Sequence, residues 1–169
     1  MIPRTEIIPA DMYNGYIALI KENDFRAAIK KNTKQFRKTL AGIPRKKYDY
    51  AYAEGKWTIR QVLQHIIDAE RVFAYRALRL SRMDPTPLAG FDEQLWAAHD
   101  GGASRRWKDL VEEFNAVRKA TEYFFEPLTD DQLRFTGTVR ELPLNAFTVG
   151  FILPGHVAHH IRLLEERYR

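Results

Sequence analysis

Apolar residues recur every three or four positions along four long segments of the chain, which is the spacing of an amphipathic α-helix. We expect three of these helices to begin after the N-cap residues Asp24, Thr58 and Ser104, and the fourth to begin near Asn145. Gln61 follows Thr58 by three residues and completes a capping-box pattern. The apolar pattern therefore predicts four long helices.

Shorter elements lie between the long helices. We expect short helices at Tyr13–Ile20 and Glu93–Ala98, the second ended by Gly101 and Gly102, and a hairpin or extended loop within 134–144. Two connections of about a dozen residues or more exceed what a minimal bundle needs. The sequence predicts an all-α fold, a four-helix bundle with long connecting loops and short extra helices, in a single domain over 1–169.

The last predicted helix contains the sequence GHVAHHIR, in which His156 and His160 are four residues apart. They lie on one helical face together with apolar residues. Those apolar residues are Val149, Ile152, Leu153, Leu163 and Leu164. Two inward imidazoles are costly to bury unless something binds them, and a divalent metal ion is one such ligand. The alternative is two ordinary, partly buried histidines with hydrogen-bond partners.

A metal site needs a third ligand, and His65 on the second long helix is the best candidate. Neighbouring helices of a bundle can bring such side chains together. Three histidines with the remaining coordination positions open are typical of catalytic rather than structural zinc sites. We expect His99 to be exposed and His159 to lie beside the centre or at a boundary, because it points away from the face of His156.

Two opposite charges fall on the inner faces of different helices. Glu70 lies within the apolar stripe of the second long helix, and Arg118 lies on the stripe of the third. Buried charges persist mainly when they are paired, so we predict that Glu70 and Arg118 meet inside the bundle. The alternative is that helix rotation places one or both beside water.

The amino-acid composition limits the class of protein and the kinds of metal ligand that are possible. Hydrophobic residues make up 45% and charged residues 29% of the 169 positions, which is ordinary for a globular protein. There is no run of about 18 apolar residues, and the first residues lack the apolar stretch of a secretory signal. The absence of cysteine excludes disulfides and thiolate ligands, and leaves His, Asp and Glu to bind metal. A reducing cytoplasm is the expected compartment.

The formal net charge is +5. Much of the excess lies in Lys30, Lys31, Lys34, Arg37, Lys38, Arg45, Lys46 and Lys47. Nucleic-acid binding through this basic segment is one interpretation, but no aromatic stacking pattern or groove-reading motif accompanies the charges. A solvated helix face is the favoured interpretation, and neither nucleic acid nor a membrane is an expected partner.

Several motifs together resemble those of the DinB-like (YfiT-like) superfamily of metal-binding four-helix proteins. The matching stretches are Gly55–Ile59, His65–Arg71, Gly90–Asp92, Gly155–His160 and Glu166–Tyr168. The Trp-Thr-Ile…His and GHxxHH elements are fairly specific in combination, and neither is specific alone. The similarity extends over nearly the whole chain.

The resemblance implies that His65, His156 and His160 bind a divalent metal ion, commonly zinc or nickel, and that the protein is a homodimer. It implies a small-molecule substrate and one of two reactions. These are transfer of a low-molecular-weight thiol such as bacillithiol or mycothiol to an electrophile, and metal-dependent hydrolysis. A non-catalytic stress-response protein that binds metal or a small ligand is the alternative.

Other site residues are weaker candidates. Asp92 either orients a ligand near the centre or caps the short helix that follows it. Trp57 is either a core anchor or a wall of the substrate pocket. Tyr50 and Tyr52 alternate in a loop and are candidate rim residues of that pocket, to which His159 is also assigned.

Overall fold

The structure is a computed structural model that describes residues 2–101 and 104–168. The helices within these residues are α1 (Asp11–Ala18), α2 (Phe25–Ala41), α3 (Ile59–Ser81), α4 (Glu93–His99), α5 (Trp107–Phe125), α6 (Asp130–Arg134) and α7 (Ala146–Arg167). Strands β1 (Thr136–Val139) and β2 (Leu142–Asn145) form an antiparallel hairpin before α7. Short 3-10 turns lie at Arg4–Glu6 and Arg45–Lys47. The long helices α2, α3, α5 and α7 form the bundle, which confirms the predicted fold class.

Local signals set most of the helix starts. The Asp24 carboxylate accepts hydrogen bonds from the first-turn amides of α2. Thr58 and Gln61 form the reciprocal capping box at the start of α3. The Asn145 side chain accepts a hydrogen bond from the Thr148 amide at 2.8 Å. Each side chain satisfies backbone donors that lack partners within the helix.

The predicted start of α5 is wrong. This helix begins at Trp107, after Arg106, and no side chain caps it. The Ser104 hydroxyl instead donates to the carbonyl of Gly101 at 2.8 Å, so it closes a turn with the residues before it. Gly101 follows α4 with a φ of +62°, while the predicted breaker Gly102 lies outside the described residues.

Two apolar clusters form the core. One gathers the N-terminal residues, α1 and the facing halves of α3 and α7, with Phe25, Phe125 and Phe151 among its rings. The other lies around Phe36 and Phe114, where α2, α3, α5 and α7 meet. Helix α7 packs against α1, α2 and α3, and its first twelve residues are buried. An all-round apolar surface is typical of such a central helix.

A polar layer lies where the two clusters meet. On α3 the change from one cluster to the other falls between Ile67 and Ala69, and on α7 it falls between Leu153 and Val157. His156 lies inside this interval of α7, and Glu70 and Arg118 lie beside it on α3 and α5. Three buried polar or charged side chains of the bundle interior therefore lie close to one level.

Helix α1 approaches α7 closely at Gly155. A Cβ at this position would lie 2.3 Å from the carbonyl oxygen of Tyr16, closer than real Cβ contacts. Only glycine allows the two backbones to approach in this way. The Tyr16 ring is thereby held 5.4 Å from the His156 ring, centroid to centroid.

We therefore expect Gly155→Ala to lower the free energy of unfolding by about 1–3 kcal/mol, because the clash with a backbone atom outweighs the better helix propensity of alanine. Gly15→Ala is the matched control, since a Cβ there has nothing within 4 Å. It should raise the free energy of unfolding by about 0.5–1 kcal/mol. Urea unfolding measures the free energy of unfolding of both variants. Equal changes in Gly155→Ala and Gly15→Ala would contradict the close approach of α1 to α7 at Gly155.

None of the helices in the described part of the chain is both long and apolar enough to cross a lipid bilayer.

Candidate metal centre

The three predicted ligands converge between α3 and α7. His65 lies in the second turn of α3, and His156 and His160 lie one turn apart on α7. His65 Nε2 is 3.1 Å from His156 Nε2, and His160 Nε2 is also 3.1 Å from His156 Nε2. Together they form a group of three imidazoles whose ligand atoms all lie within 4.8 Å of one another.

These distances fit a shared cation. Nitrogen ligands at about 2.0–2.1 Å from one ion, at tetrahedral or octahedral angles, lie about 2.9–3.4 Å apart. Hydrogen bonding alone satisfies the group poorly. The Nε2 atom of an imidazole is either one donor or one acceptor, so His156 can bond well to only one of its two neighbours. His160 Nδ1 is buried and has no partner among the described residues.

The imidazoles are held in the form that binds metal. Burial lowers the pKa of His65 to about 4. Burial also holds the pKa of His156 and His160 well below the usual range, and the neighbouring imidazoles lower both further. At neutral pH all three rings are therefore uncharged, as a metal ligand must be.

Aromatic rings surround the centre. Trp57 packs against His65 at 4.8 Å, and Phe73 packs against His156 at 5.8 Å, between ring centroids. The Tyr168 hydroxyl donates to the Trp57 carbonyl oxygen at 2.6 Å, so the end of the chain fixes the residue beside His65. These contacts restrict the imidazole orientations and limit access of water.

A cavity of about 250 Å³ opens onto His65, His156 and His160. It is lined by α1, by α3 between His65 and Arg76, by the first turn of α4, by α7 and by the hairpin tip. Besides the histidines, its lining residues are Met12, Tyr13, Tyr16, Trp57, Ala69, Phe73, Arg76, Phe91, Glu93, Gln94 and Arg140. The volume is suited to a small molecule, and five of these eleven residues are aromatic.

Three predicted pocket residues lie outside this cavity. Tyr52 lines a neighbouring depression on the other side of Trp57, and Tyr50 is exposed and contacts the Tyr168 ring. Their loop packs on the C-terminal end of α7, away from the histidines. His159 is exposed and lines a separate groove beyond Tyr16. Trp57 does line the cavity, and it also packs against the second apolar cluster.

Asp92 has the second of its two expected roles. Its carboxylate accepts hydrogen bonds from the amides of Gln94 at 2.9 Å and Leu95 at 3.0 Å, which caps α4. It is not among the residues that line the cavity. Its neighbour Glu93 is, and it is the one carboxylate in the described lining. His99 is exposed at the other end of α4, as expected.

Sequence reasoning missed the two arginines of the cavity. Arg76 follows His65, Ala69 and Phe73 at steps of four, four and three residues, so the helical face shared with His65 could have identified it. Arg140 offered no such signal. It reaches the cavity only because its hairpin pairs with Leu88, a contact between distant parts of the chain.

Glu70 and Arg118 meet beside the level of the three histidines. Arg118 Nη2 donates to Glu70 Oε2 at 2.8 Å, and the two side chains are 0% and 1% exposed. The Arg118 guanidinium also lies 5.4 Å from the centre of the Phe114 ring. The pair joins α3 to α5 and therefore fixes the helix that carries His65.

The fold is similar to a solved structure. YfiT from Bacillus subtilis, described as a candidate metal-dependent hydrolase with an unusual four-helix bundle topology, matches with a TM-score of 0.71. The match covers 98% of this chain and 90% of that one at 19% sequence identity. At this identity the likeness shows the shared fold alone.

Two proteins of Oceanobacillus iheyensis, both provisionally named metal-dependent hydrolases, are similar in sequence. One is 29% identical over 86 residues, and the other is 31% identical over 70 residues. The matches cover 49% and 40% of these relatives, so the chain spans half of their length or less.

The sequence pattern of the DinB superfamily matches residues 28–164, a span that contains all three converging histidines. That is well over half of the chain, and it confirms the resemblance seen in the motifs. The chain belongs to the DinB superfamily.

Proposed function

We propose that this protein is a divalent-metal-dependent hydrolase of a small molecule, with His65, His156 and His160 as the metal ligands. The observation that carries the proposal is the convergence of three neutral imidazoles at the base of a cavity. The names of the Oceanobacillus relatives and of YfiT support hydrolysis as the reaction. Zinc and nickel are the ions proposed, since imidazole nitrogen suits both.

The residues around the centre have separate roles in the proposed reaction. The three imidazoles hold the ion, which supplies Lewis acidity when bound. Trp57 and Phe73 keep the imidazoles in place, and the α1 side chain of Tyr16 closes the side of the centre that faces α1. Three protein ligands leave coordination positions for substrate, as in catalytic sites.

Glu93 is the proposed proton acceptor. Its carboxylate lies in the cavity lining with the histidines, and its negative charge acts on His65, whose pKa it raises against the larger effect of burial. A carboxylate placed beside a reacting water can take its proton and return it to the leaving group. A Glu93→Gln variant should keep the metal and lose turnover.

Thiol-dependent transfer is the second candidate reaction, with a low-molecular-weight thiol as co-substrate. The aromatic wall formed by Tyr16, Phe73 and Phe91 favours it, because such a wall accommodates an apolar electrophile. The thiol would occupy a coordination position that the three histidines leave open, where thiols lose their proton. The homodimer and the cytoplasmic location stay predictions, and sedimentation checks the first.

Metal analysis and thermal unfolding test the proposal. We expect about one zinc or nickel ion per chain, and chelation should lower the unfolding temperature. An ion at about 100 times its dissociation constant contributes about 2.7 kcal/mol to the free energy of unfolding. Panels of esters and amides, and of electrophiles with thiols, separate the two reactions. A protein that neither retains nor is stabilised by zinc or nickel would contradict the metal-dependent function and favour a non-catalytic binding role.

A further inference from the structure

The cavity contains a buried cation with no anionic partner. Arg76 is 2% exposed. Its Nη1 donates to the Tyr13 hydroxyl at 3.3 Å, and its Nη2 donates to the Ala89 carbonyl oxygen at 3.0 Å. Both acceptors are uncharged. No carboxylate of the described residues lies within 4 Å of this guanidinium, whereas Arg118, the other fully buried arginine, is paired with Glu70.

Arg140, in the hairpin of β1 and β2, is a second cation beside Arg76. Arg140 lies in the turn between β1 and β2 with a φ of +50°, and its amide donates to the Leu88 carbonyl oxygen at 2.9 Å. Its side chain crosses Gly90 so closely that a Cβ there would lie 2.9 Å from Arg140 Nε. This path brings the side chain to the cavity, which it lines. In the part of the chain that the structure describes, Arg140 also has no ion pair.

The buried Arg76 needs a counter-charge, and the exposed Arg140 adds a second positive charge at the same cavity. Burial lowers the pKa of Arg76, and the neighbouring Arg140 lowers it further, yet a guanidinium remains charged in proteins. The rings of Phe73 and Phe91 lie 5.7 and 5.8 Å from the Arg76 guanidinium and shield it from water. Glu93, the carboxylate of the described lining, forms no ion pair with either arginine, and its negative charge acts on His65. Buried charges in proteins are normally paired.

We propose that the substrate carries a carboxylate or phosphate group that binds between Arg76 and Arg140, while the rest of the molecule extends along the aromatic wall toward the histidines. That this ligand is the substrate rests on the proposed function, but the anion site itself needs no metal. Guanidinium groups bind both anions through paired N–H donors. The cavity volume of about 250 Å³ limits the ligand to a small organic anion.

Calorimetric titration tests this with three probes: phenylacetate, its uncharged analogue phenylacetamide, and phenyl phosphate. At least one of the two anions should bind about tenfold or more tightly than the amide, since hydrogen bonds to charged groups are the stronger ones. Arg140→Gln should remove most of that preference, and Arg140→Lys should retain part of it. Lys34→Gln, an exposed change of equal charge on α2, is the control and should bind as the wild type does.

Titrating both the metal-loaded and the chelated protein separates the two proposals. An Arg140-dependent preference for anions in the chelated protein supports the anion site even if metal analysis contradicts the metal-dependent function. Equal binding of phenylacetamide and the anions, or an equal loss of affinity in Arg140→Gln and Lys34→Gln, would overturn the anion site. Arg140 is suited to this test because its side chain is exposed and its loss does not open the core.

Discussion

His156→Ala is expected to reduce the metal content of the purified protein from about one ion per chain to near zero. His156 is the central member of the trio, because its Nε2 lies 3.1 Å from the Nε2 of both His65 and His160. Loss of a residue that merely orients a ligand lowers metal affinity about 10–100-fold, so loss of a ligand should exceed that range. Turnover and the stabilisation by zinc or nickel should disappear together. Elemental analysis and thermal unfolding with added metal measure the two effects.

His99→Ala is the matched control for this variant. His99 is exposed on α4, and its ring contacts the carbonyl oxygen of Leu95 at 2.8 Å, remote from the three imidazoles. We expect this variant to retain metal and turnover at the wild-type level. If His156→Ala keeps as much metal as His99→Ala does, the histidines are not the ligands and the proposed function fails.

Glu70→Leu is expected to destabilise the protein by about 3–5 kcal/mol, because it leaves the charge of Arg118 buried and uncompensated. Neither side chain is more than 1% exposed. The double variant Glu70→Leu with Arg118→Met should recover most of the loss. Among the described residues, Glu70 Oε1 and Arg118 Nε and Nη1 have no hydrogen-bond partner, so an apolar pair forgoes few interactions. Urea unfolding of the single and double variants measures the coupling free energy between Glu70 and Arg118.

An exposed ion pair supplies the comparison. Arg162 and Glu166 form an i,i+4 pair on α7 at 2.6 Å, with side chains 66% and 52% exposed. Glu166→Ala should change the free energy of unfolding by less than about 1 kcal/mol, because exposed pairs contribute little. Should Glu70→Leu cost no more than this surface change, Arg118 would not need its buried partner.

Helical periodicity carried most of the information about the fold. Because α-helical spacing and N-caps are properties of neighbouring residues, Asp24 and Thr58 could be assigned as caps without any tertiary information. The prediction that Ser104 caps α5 was wrong, and the cause is also local. A serine three residues after a glycine has two local choices of partner, and nothing in the nearby sequence decides between the helix ahead and the turn behind.

In the candidate site, too, the sequence predicted the residues that share a helix face and missed those that long-range contacts place. His156 and His160 share a face at fixed spacing, and His65 joins them because α3 and α7 are neighbours in the bundle. Glu93 and Arg140 could not be found in this way. The packing of α4 that places Glu93 in the cavity lining, and the position of the hairpin tip, depend on contacts between parts of the chain that are distant in sequence.

The position of α1 outside the matched region suggests one way in which members of this superfamily can differ. The matched pattern begins at residue 28, so α1 lies before it, yet Met12, Tyr13 and Tyr16 all line the cavity. The face that carries the three histidines and the part of the wall formed by α1 therefore come from separate portions of the polypeptide. Exchange of the first two dozen residues can retune which molecules fit, while the three imidazoles keep their arrangement. One wall of the cavity can therefore diverge without any change to the three histidines.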